Sequence, residues 1–188
     1  MNKFRASHTV LSLWASGRYD DAIDAYFKIP GFVTPQMEAG KAYHEKWEAH
    51  IKKNKTFHDE LGGDKLKEPK SELKIVQEVY DWLDLVGVID CLDGDQIYEF
   101  KTGVKSSSSF GSTFQVGVYG LLCKLKGIPV SSCVVIHYNQ YTKKTDRSIF
   151  WITPRMLDDA LNWVETYAGE MKEYIEKNDI EKTISDRK

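Results

Sequence analysis

Two apolar runs joined by a short polar turn form the most clearly patterned stretch of the chain. Residues 85–90 and 97–103 are rich in β-branched and aromatic side chains, and Asp93, Gly94 and Asp95 lie between them. This pattern predicts a β-hairpin. Apolar residues occur on both of its faces, which predicts a buried pair of central strands. Alternation assigns three apolar residues to each face, Val86, Val88 and Ile97 to one and Ile89, Tyr98 and Phe100 to the other.

The register of this hairpin brings charged side chains together. If Gly94-Asp95 is a two-residue turn, Asp90 and Glu99 lie opposite each other, and Lys101 shares their face. Facing carboxylates destabilise a strand pair, and carboxylates near a core are costly unless a partner or a metal neutralises them. A bound divalent cation would remove this conflict. A structural cluster of ion pairs is the alternative.

Helical periodicity, capping residues and further apolar runs extend the prediction to the whole chain. Helices are predicted over residues 9–15 (capped by Ser7), 18–27, 35–53, 114–126 and 154–177. Strands are predicted over residues 72–82, 130–138 and 148–153 in addition to the hairpin. The order of elements predicts an α/β domain with a mixed central sheet flanked by helices, and all 188 residues are expected to form this single domain.

Two polar segments are predicted to lack regular structure. Residues 54–71 contain Gly62-Gly63, Pro69 and many lysines, so we expect a long surface loop that could serve as a substrate lid. Residues 104–113 include four consecutive serines and are expected to be a flexible connection.

Two predicted helices place polar side chains on their inward faces. On the helix over 35–53, His44 follows Gly40 by four residues on an apolar stripe, where it is either a core histidine or a ligand. Glu45 and Glu48 are expected to point elsewhere. On the helix over 114–126, the inward face carries Gln115 and Tyr119, for which a structural hydrogen bond is the simplest explanation.

Composition and charge exclude some classes of protein. The formal net charge is −2, which excludes a strongly basic, purely electrostatic nucleic-acid binder but allows a local basic groove. The three cysteines, Cys91, Cys123 and Cys133, have no metal-ligand spacing and suggest reduced thiols in the cytoplasm. No apolar run has membrane length, so we expect no membrane partner.

The motifs, taken in order, resemble a known family. They are Gly40-x-x-x-His44, Gly87-Val88-Ile89-Asp90, Glu99-Phe100-Lys101-Thr102-Gly103 and Gln115-x-x-x-Tyr119. In this order, and on these predicted helices and strands, the motifs resemble those of the PD-(D/E)XK nuclease superfamily. Within the superfamily, the chain resembles the RecB-like branch, which includes CRISPR-associated and phage exonucleases. The resemblance covers about residues 35–138 and implies a restriction-endonuclease-like αβββαβ core. Ile89 stands where the superfamily's name has proline.

The resemblance implies a metal site. His44, Asp90 and Glu99 would be the side-chain ligands, and the backbone carbonyl of Phe100 would complete the set. Carboxylate and carbonyl ligands suit Mg²⁺ or Mn²⁺, and the imidazole shifts the preference toward Mn²⁺. Because the cysteines do not match the positions found in CRISPR-associated relatives, no iron–sulfur cluster is expected.

The resemblance also implies catalytic and substrate-binding roles. Asp90 and Glu99 would be catalytic with Lys101, which would activate the attacking water or stabilise developing negative charge. Gln115 and Tyr119 would position the scissile strand or Lys101, and Lys105 is expected to contact the substrate. Aromatic candidates for base stacking are Trp14, Trp82 and Tyr141, although core packing is the better explanation for the two tryptophans.

These expectations describe a metal-dependent deoxyribonuclease, an exonuclease of recombination, repair or phage DNA processing. Its partners would be single-stranded or duplex DNA ends and a helicase, recombination or annealing protein, in the cytoplasm of a bacterium or a phage-infected host. A catalytically inactive nucleic-acid-binding or scaffold protein of the same fold is the main alternative. A metal-dependent hydrolase acting on another substrate is more remote.

Overall fold

The computed structural model describes residues 3–29, 34–103, 106–112 and 114–180. The helices are α1 (His8–Ala15), α2 (Tyr19–Phe27), α3 (Pro35–Asn54), α4 (Gln115–Lys126) and α5 (Pro154–Lys177). A six-stranded mixed sheet contains β1 (Phe4–Ser7), β2 (Lys70–Tyr80), β3 (Leu83–Asp93), β4 (Gln96–Thr102), β5 (Ser132–Asn139) and β6 (Lys144–Trp151). The predicted α/β class, with helices flanking a mixed sheet, is therefore confirmed.

Local sequence signals account for most element boundaries. The side chains of Ser7, Thr34 and Thr153 cap α1, α3 and α5 by accepting hydrogen bonds from backbone N–H groups three residues later. Gly94, with φ of +60°, turns the chain between β3 and β4, and Asp93 pairs with Gln96 as predicted. The prediction that β5 runs parallel to its neighbour is also confirmed, because β5 pairs parallel with β4. No helix among the described residues is long and apolar enough to span a membrane.

Strand β3 pairs with three other strands of the sheet. The antiparallel β2 pairs along β3 from Leu83 to Leu92 and so occupies one of its two edges. The other edge is shared by β1, which pairs parallel with residues 83–86, and by β4, which pairs antiparallel with residues 91–93. Residues 87–90 lie between these two partners, where the sheet divides.

The sheet separates two hydrophobic cores. In the first core, α1, α2, α4 and α5 pack against one face of the sheet. In the second core, α3 and the segment after it cover the other face; its buried members are Trp47, Ile51, Phe57, Leu61, Leu66, Cys91, Phe100, Val134, Ile136 and Tyr138. Both faces are therefore covered, as expected for a central strand pair.

The assignment of hairpin residues to faces is wrong in part, because the alternation along β3 changes phase at Asp90. Ile89 and Leu92, which strict alternation would place on opposite faces, both lie in the first core. Ile97 was expected opposite Ile89 but lies in that same core. Val88, expected beside Ile97 on a buried face, is 37% exposed.

The sequence analysis missed one strand, and two further predictions are corrected. The four-residue strand β1 was not predicted from the sequence. Residues 54–71 are not a lid, because the second core includes the buried side chains of Phe57, Leu61 and Leu66 from this segment. In the predicted flexible connection, Ser107–Ser112 forms a 3-10 helix. Val104, Lys105 and Thr113 lie outside the described residues.

Gly87 allows α4 to pack closely over the divided part of the sheet. A Cβ atom at this position would lie 2.6 Å from Leu122 Cδ1 and 3.2 Å from Tyr119 Cε1. Leu122 is fully buried, so its side chain has little room to move away. The absence of a side chain at Gly87 thus brings Tyr119 against β3.

We expect Gly87→Ala to lower the free energy of unfolding by about 1–3 kcal/mol because of overpacking. The matched control is Gly169→Ala in α5, where the added Cβ would meet no atom within 4 Å beyond its chain neighbours and the adjacent backbone of its own helix. The control is expected to raise stability by up to about 1 kcal/mol, since alanine is the better helix former. Urea denaturation measures both variants. Equal stability of Gly87→Ala and the wild type would contradict the close packing.

Candidate active site

Asp90 lies where β3 separates from β4. Backbone pairing between the two strands ends at Cys91 and Tyr98. At the next residue of β3, the side chain of Asp90 replaces the backbone as the hydrogen-bond partner of β4. Its Oδ2 accepts a hydrogen bond of 2.7 Å from the backbone N–H of Phe100. The predicted register is correct, but the carboxylate reaches along β4 instead of standing opposite Glu99 in a continuous ladder.

On the side of the second core, Asp90 meets His44 and Glu72. His44 Nδ1 lies 3.5 Å from Asp90 Oδ1. One potential ligand atom from each of the three residues lies within 4.8 Å of the other two. Gly40 allows α3 to cross close to the end of β4, since a Cβ there would be 3.0 Å from Thr102 Oγ1. The spacing of Gly40 and His44 therefore has a structural basis.

An open cavity of about 810 Å³ adjoins this cluster. Its lining includes His44, Glu72 and Asp90, together with Glu45 and Glu48 from α3. The expectation that these last two residues point away from the site is therefore wrong, because the cavity extends along α3 beyond His44. The cavity is wide enough for a ligand to approach the three clustered side chains.

Glu72 was not identified from the sequence. The register of β2 against β3 places it opposite Asp90, between the pairs Ser71–Cys91 and Leu73–Ile89. Its φ of +53° is uncommon for a residue other than glycine. The imperfect alternation in β2 left its register undefined. Glu78, which had been considered as a neighbour of the acidic cluster, instead pairs with Lys3 at the surface.

On the side of the first core, hydrogen bonds connect the remaining predicted residues. Glu99 Oε1 accepts from Lys101 Nζ at 2.6 Å and from Gln115 Nε2 at 2.7 Å. Gln115 Nε2 also donates to the Tyr119 hydroxyl at 3.0 Å. Glu99 Oε2 is buried and has no hydrogen-bond partner among the described residues. A buried carboxylate oxygen without a partner is energetically costly.

The structure thus brings the predicted residues together as two groups joined by Asp90. Glu99 pairs in register with Val135, a member of the first core. His44 packs against Trp47 and Phe100 of the second core. Glu99 is not part of the group formed by His44, Glu72 and Asp90.

The shifted pKa values show how strongly these groups interact. Burial and the nearby Asp90 raise the pKa of Glu99 to about 7, although Lys101 opposes the shift. Burial alone would lower the pKa of Lys101, but Glu99 and Asp90 outweigh it and the pKa is raised. Burial and Asp90 also raise the pKa of Glu72. The excess of carboxylates is therefore only partly compensated by protein cations.

The pKa of His44 is likewise set by opposing effects. Burial would lower it, but Asp90 and Glu99 raise it above its usual value. Burial and Glu99 raise the pKa of the Tyr119 hydroxyl, which is therefore protonated at neutral pH.

The residues present fit a hard divalent cation. Two features support this: the Glu99 oxygen without a partner, and the grouping of two carboxylates with one imidazole. Oxygen ligands with one imidazole suit Mg²⁺ or Mn²⁺. The backbone N–H of Phe100 is engaged by Asp90. Its carbonyl remains a predicted ligand.

The sequence matches no protein-family model, and no curated protein matches it either. Solved structures are similar in fold. An alkaline exonuclease (LHK-Exo) from Laribacter hongkongensis aligns with a TM-score of 0.58 and 10% identity, covering 95% of this chain and 93% of that chain. Its complex with dAMP gives a TM-score of 0.57 at 10% identity with the same coverage, 95% and 93%. The structure of SSO0001 gives 0.55 at 14% identity, covering 89% of this chain and 76% of that chain. At these identities the likeness establishes the fold alone.

The raised pKa of Glu99 predicts a pH dependence of stability in the absence of metal. The pKa is about 7 in the folded protein, against a reference value of 4.5. The folded state therefore binds this proton more tightly, and the resulting stabilisation is complete below pH 4.5 and is lost as the pH rises through about 7. We expect urea denaturation in EDTA to show this fall, and Glu99→Gln to reduce it.

The control for this experiment is Glu173→Gln, which changes an exposed glutamate of α5. It is expected to keep the wild-type pH profile. An unchanged profile in Glu99→Gln would contradict the assigned titration.

Proposed function

We propose that this protein is a metal-dependent nuclease of the PD-(D/E)XK type, related to the RecB-like branch, that hydrolyses DNA phosphodiester bonds. The observation that carries the proposal is the pairing of Lys101 with Glu99 beside Asp90, where the sheet divides. The buried Glu99 oxygen without a partner adds a position for a cation. Similarity in fold to an alkaline exonuclease gives independent support.

Asp90 and Glu99 would hold the metal ion together with the Phe100 carbonyl, and His44 and Glu72 would bind from the side of the cavity. A bound divalent ion would lower the pKa of a coordinated water and act as a Lewis acid on the phosphate. The ligand atoms of His44 and Glu72 lie within 4.8 Å of that of Asp90, so all three side chains would be able to bind the same ion. Glu72 is thus a proposed addition to the predicted ligand set.

Lys101 would act on the reacting phosphate. Its ammonium group is held 2.6 Å from Glu99 Oε1, so its position is defined before substrate binds. A fixed positive charge in a largely buried site stabilises negative charge that develops on a phosphate in the transition state. The same lysine could orient the attacking water.

Gln115 and Tyr119 are proposed as positioning residues. Gln115 donates to the same Glu99 oxygen as Lys101, and its amide also contacts the Tyr119 hydroxyl. These contacts engage Oε1 of the Glu99 carboxylate, and Oε2 is left without a hydrogen-bond partner among the described residues. A direct contact of Gln115 with the scissile strand is compatible with its partial exposure.

An exonuclease acting on DNA ends is the form of this activity that we favour, because the similar structures include an alkaline exonuclease and its complex with dAMP. No iron–sulfur cluster is proposed, because Cys91, Cys123 and Cys133 do not match the positions of the cluster ligands in CRISPR-associated nucleases. A catalytically inactive DNA-binding protein is the second candidate. Such a protein would bind DNA as the nuclease does, but it would show no metal-dependent cleavage.

The nuclease proposal predicts metal-dependent cleavage of end-labelled linear DNA in Mg²⁺ or Mn²⁺ and none in EDTA. Lys101→Met should lower kcat by at least about 100-fold, since a fixed charge at the transition state is lost. Lys177→Met, at an exposed position in α5, is the matched control and should keep full activity. Closed circular DNA should be spared if ends are required. Cleavage that survives Lys101→Met would contradict the assigned role.

Metal binding can be tested without any substrate. We expect Glu72→Gln to weaken Mn²⁺ binding about tenfold or more in isothermal titration calorimetry, because a ligand carboxylate is lost. Glu48→Gln is the matched control, since Glu48 lines the same cavity but lies outside the group of His44, Glu72 and Asp90. Equal effects of the two substitutions would show that Glu72 contributes only general negative charge.

A further inference from the structure

A group of stacked aromatic side chains lies where α4 begins. The rings of Phe114 and Trp163 stack nearly parallel, with centroids 5.0 Å apart and an interplanar angle of 11°. Trp163 also contacts Tyr167 and His8, with ring centroids 5.6 Å away in each case. We call these four residues the aromatic platform.

The aromatic platform adjoins the candidate active site at two points. Phe114 directly precedes Gln115, whose amide donates to Glu99. At the other end, burial and the positive charge of Lys101 lower the pKa of His8 to about 4. Phe114 therefore lies one residue from the amide that donates to Glu99, and the same Glu99 oxygen accepts from Lys101.

Phe114 is the exposed member of the platform. Trp163 covers one face of its ring, yet Phe114 keeps 37% of its surface exposed. Trp163 and Tyr167 are partly buried against the first core. The result is a partly exposed Phe114 ring whose orientation is fixed by stacking on Trp163, one residue from Gln115.

The aromatic residues proposed from the sequence are less suitable. Trp14 is 5% exposed and belongs to the first core. Trp82 is only partly exposed and stacks on Tyr80, with ring centroids 5.9 Å apart. Tyr141 is 70% exposed, but it lies in the turn between β5 and β6, and no other aromatic ring of the described residues packs against it.

We propose that Phe114 stacks against an unpaired base of a nucleic-acid strand whose neighbouring phosphate lies at Lys101. The inference rests on the nuclease function proposed above and assigns a substrate class to the same site, a strand that is unpaired next to the scissile bond. Aromatic rings bind bases through their faces, so this contact selects single-stranded character without selecting sequence. The low pKa of His8 leaves its imidazole uncharged at neutral pH, consistent with stacking rather than anion binding.

The test is a binding experiment that needs no hydrolysis. Single-stranded oligonucleotides carrying the fluorescent base 2-aminopurine at successive positions are titrated with protein in EDTA. Stacking on Phe114 should quench the fluorescence at one position. Phe114→Ala and Phe114→Leu should both abolish that quenching and weaken binding about tenfold, whereas Phe114→Tyr should retain both. Circular dichroism verifies that each variant is folded.

An abasic nucleotide at the quenched position separates stacking from a structural effect. It should weaken binding to the wild type but cause no further loss in Phe114→Ala. The control is Tyr19→Ala, which removes an exposed aromatic residue from α2 (51% exposed) and should behave as the wild type. Unchanged binding and quenching in Phe114→Ala, or equal losses on intact and abasic strands, would overturn the inference.

The outcomes also distinguish this inference from the nuclease proposal. A wild-type protein that cleaves DNA in a metal-dependent manner, with binding unaffected by Phe114→Ala, would overturn the stacking role alone. A wild-type protein that binds none of the single-stranded oligonucleotides would also overturn the stacking role alone, because the nuclease proposal is tested by metal-dependent cleavage of linear DNA.

Discussion

The separation of β3 from β4 at Asp90 is the constraint on which the site depends. One edge of β3 is shared by β1 and β4, so residues 87–90 have no strand partner on that edge within the part of the chain that the structure describes. The Asp90 carboxylate supplies the acceptor that the Phe100 N–H would otherwise lack. A carboxylate used as a backbone partner is held in one position, and here that position lies between the two cores.

The electrostatics of this position favour a binding role over a purely structural one. Burying carboxylates destabilises a fold unless cations and hydrogen bonds compensate, and apolar residues of similar size often serve stability better. Here the compensation is incomplete, because the buried Glu99 Oε2 has no partner among the described residues and the pKa of Glu99 is raised. A divalent cation would supply the missing positive charge, and Lys101 would then act on the phosphate that the cation binds.

Local signals made much of the fold predictable, whereas long-range pairing decided what was missed. The Asp-Gly turn, the Thr-Pro helix starts and the spacing of Gly40 and His44 each depend on neighbouring residues, and the structure contains all of them. The short strand β1 and the packed segment after α3 depend on distant partners. Glu72 reaches the site through its register with Asp90 and its positive φ. Neither of these can be predicted from the apolar and polar pattern within β2.

The proposal that Asp90 and Glu99 hold a divalent metal ion is tested most directly by a crystal structure with Mn²⁺, with anomalous data recorded at the manganese absorption edge. We expect an anomalous peak within coordination distance of Asp90 and of Glu99 Oε2, which has no partner among the described residues, with His44 or Glu72 nearby. A peak bound by His44 and Glu72 alone, or no peak while Glu99 keeps its contacts to Lys101 and Gln115, would contradict it.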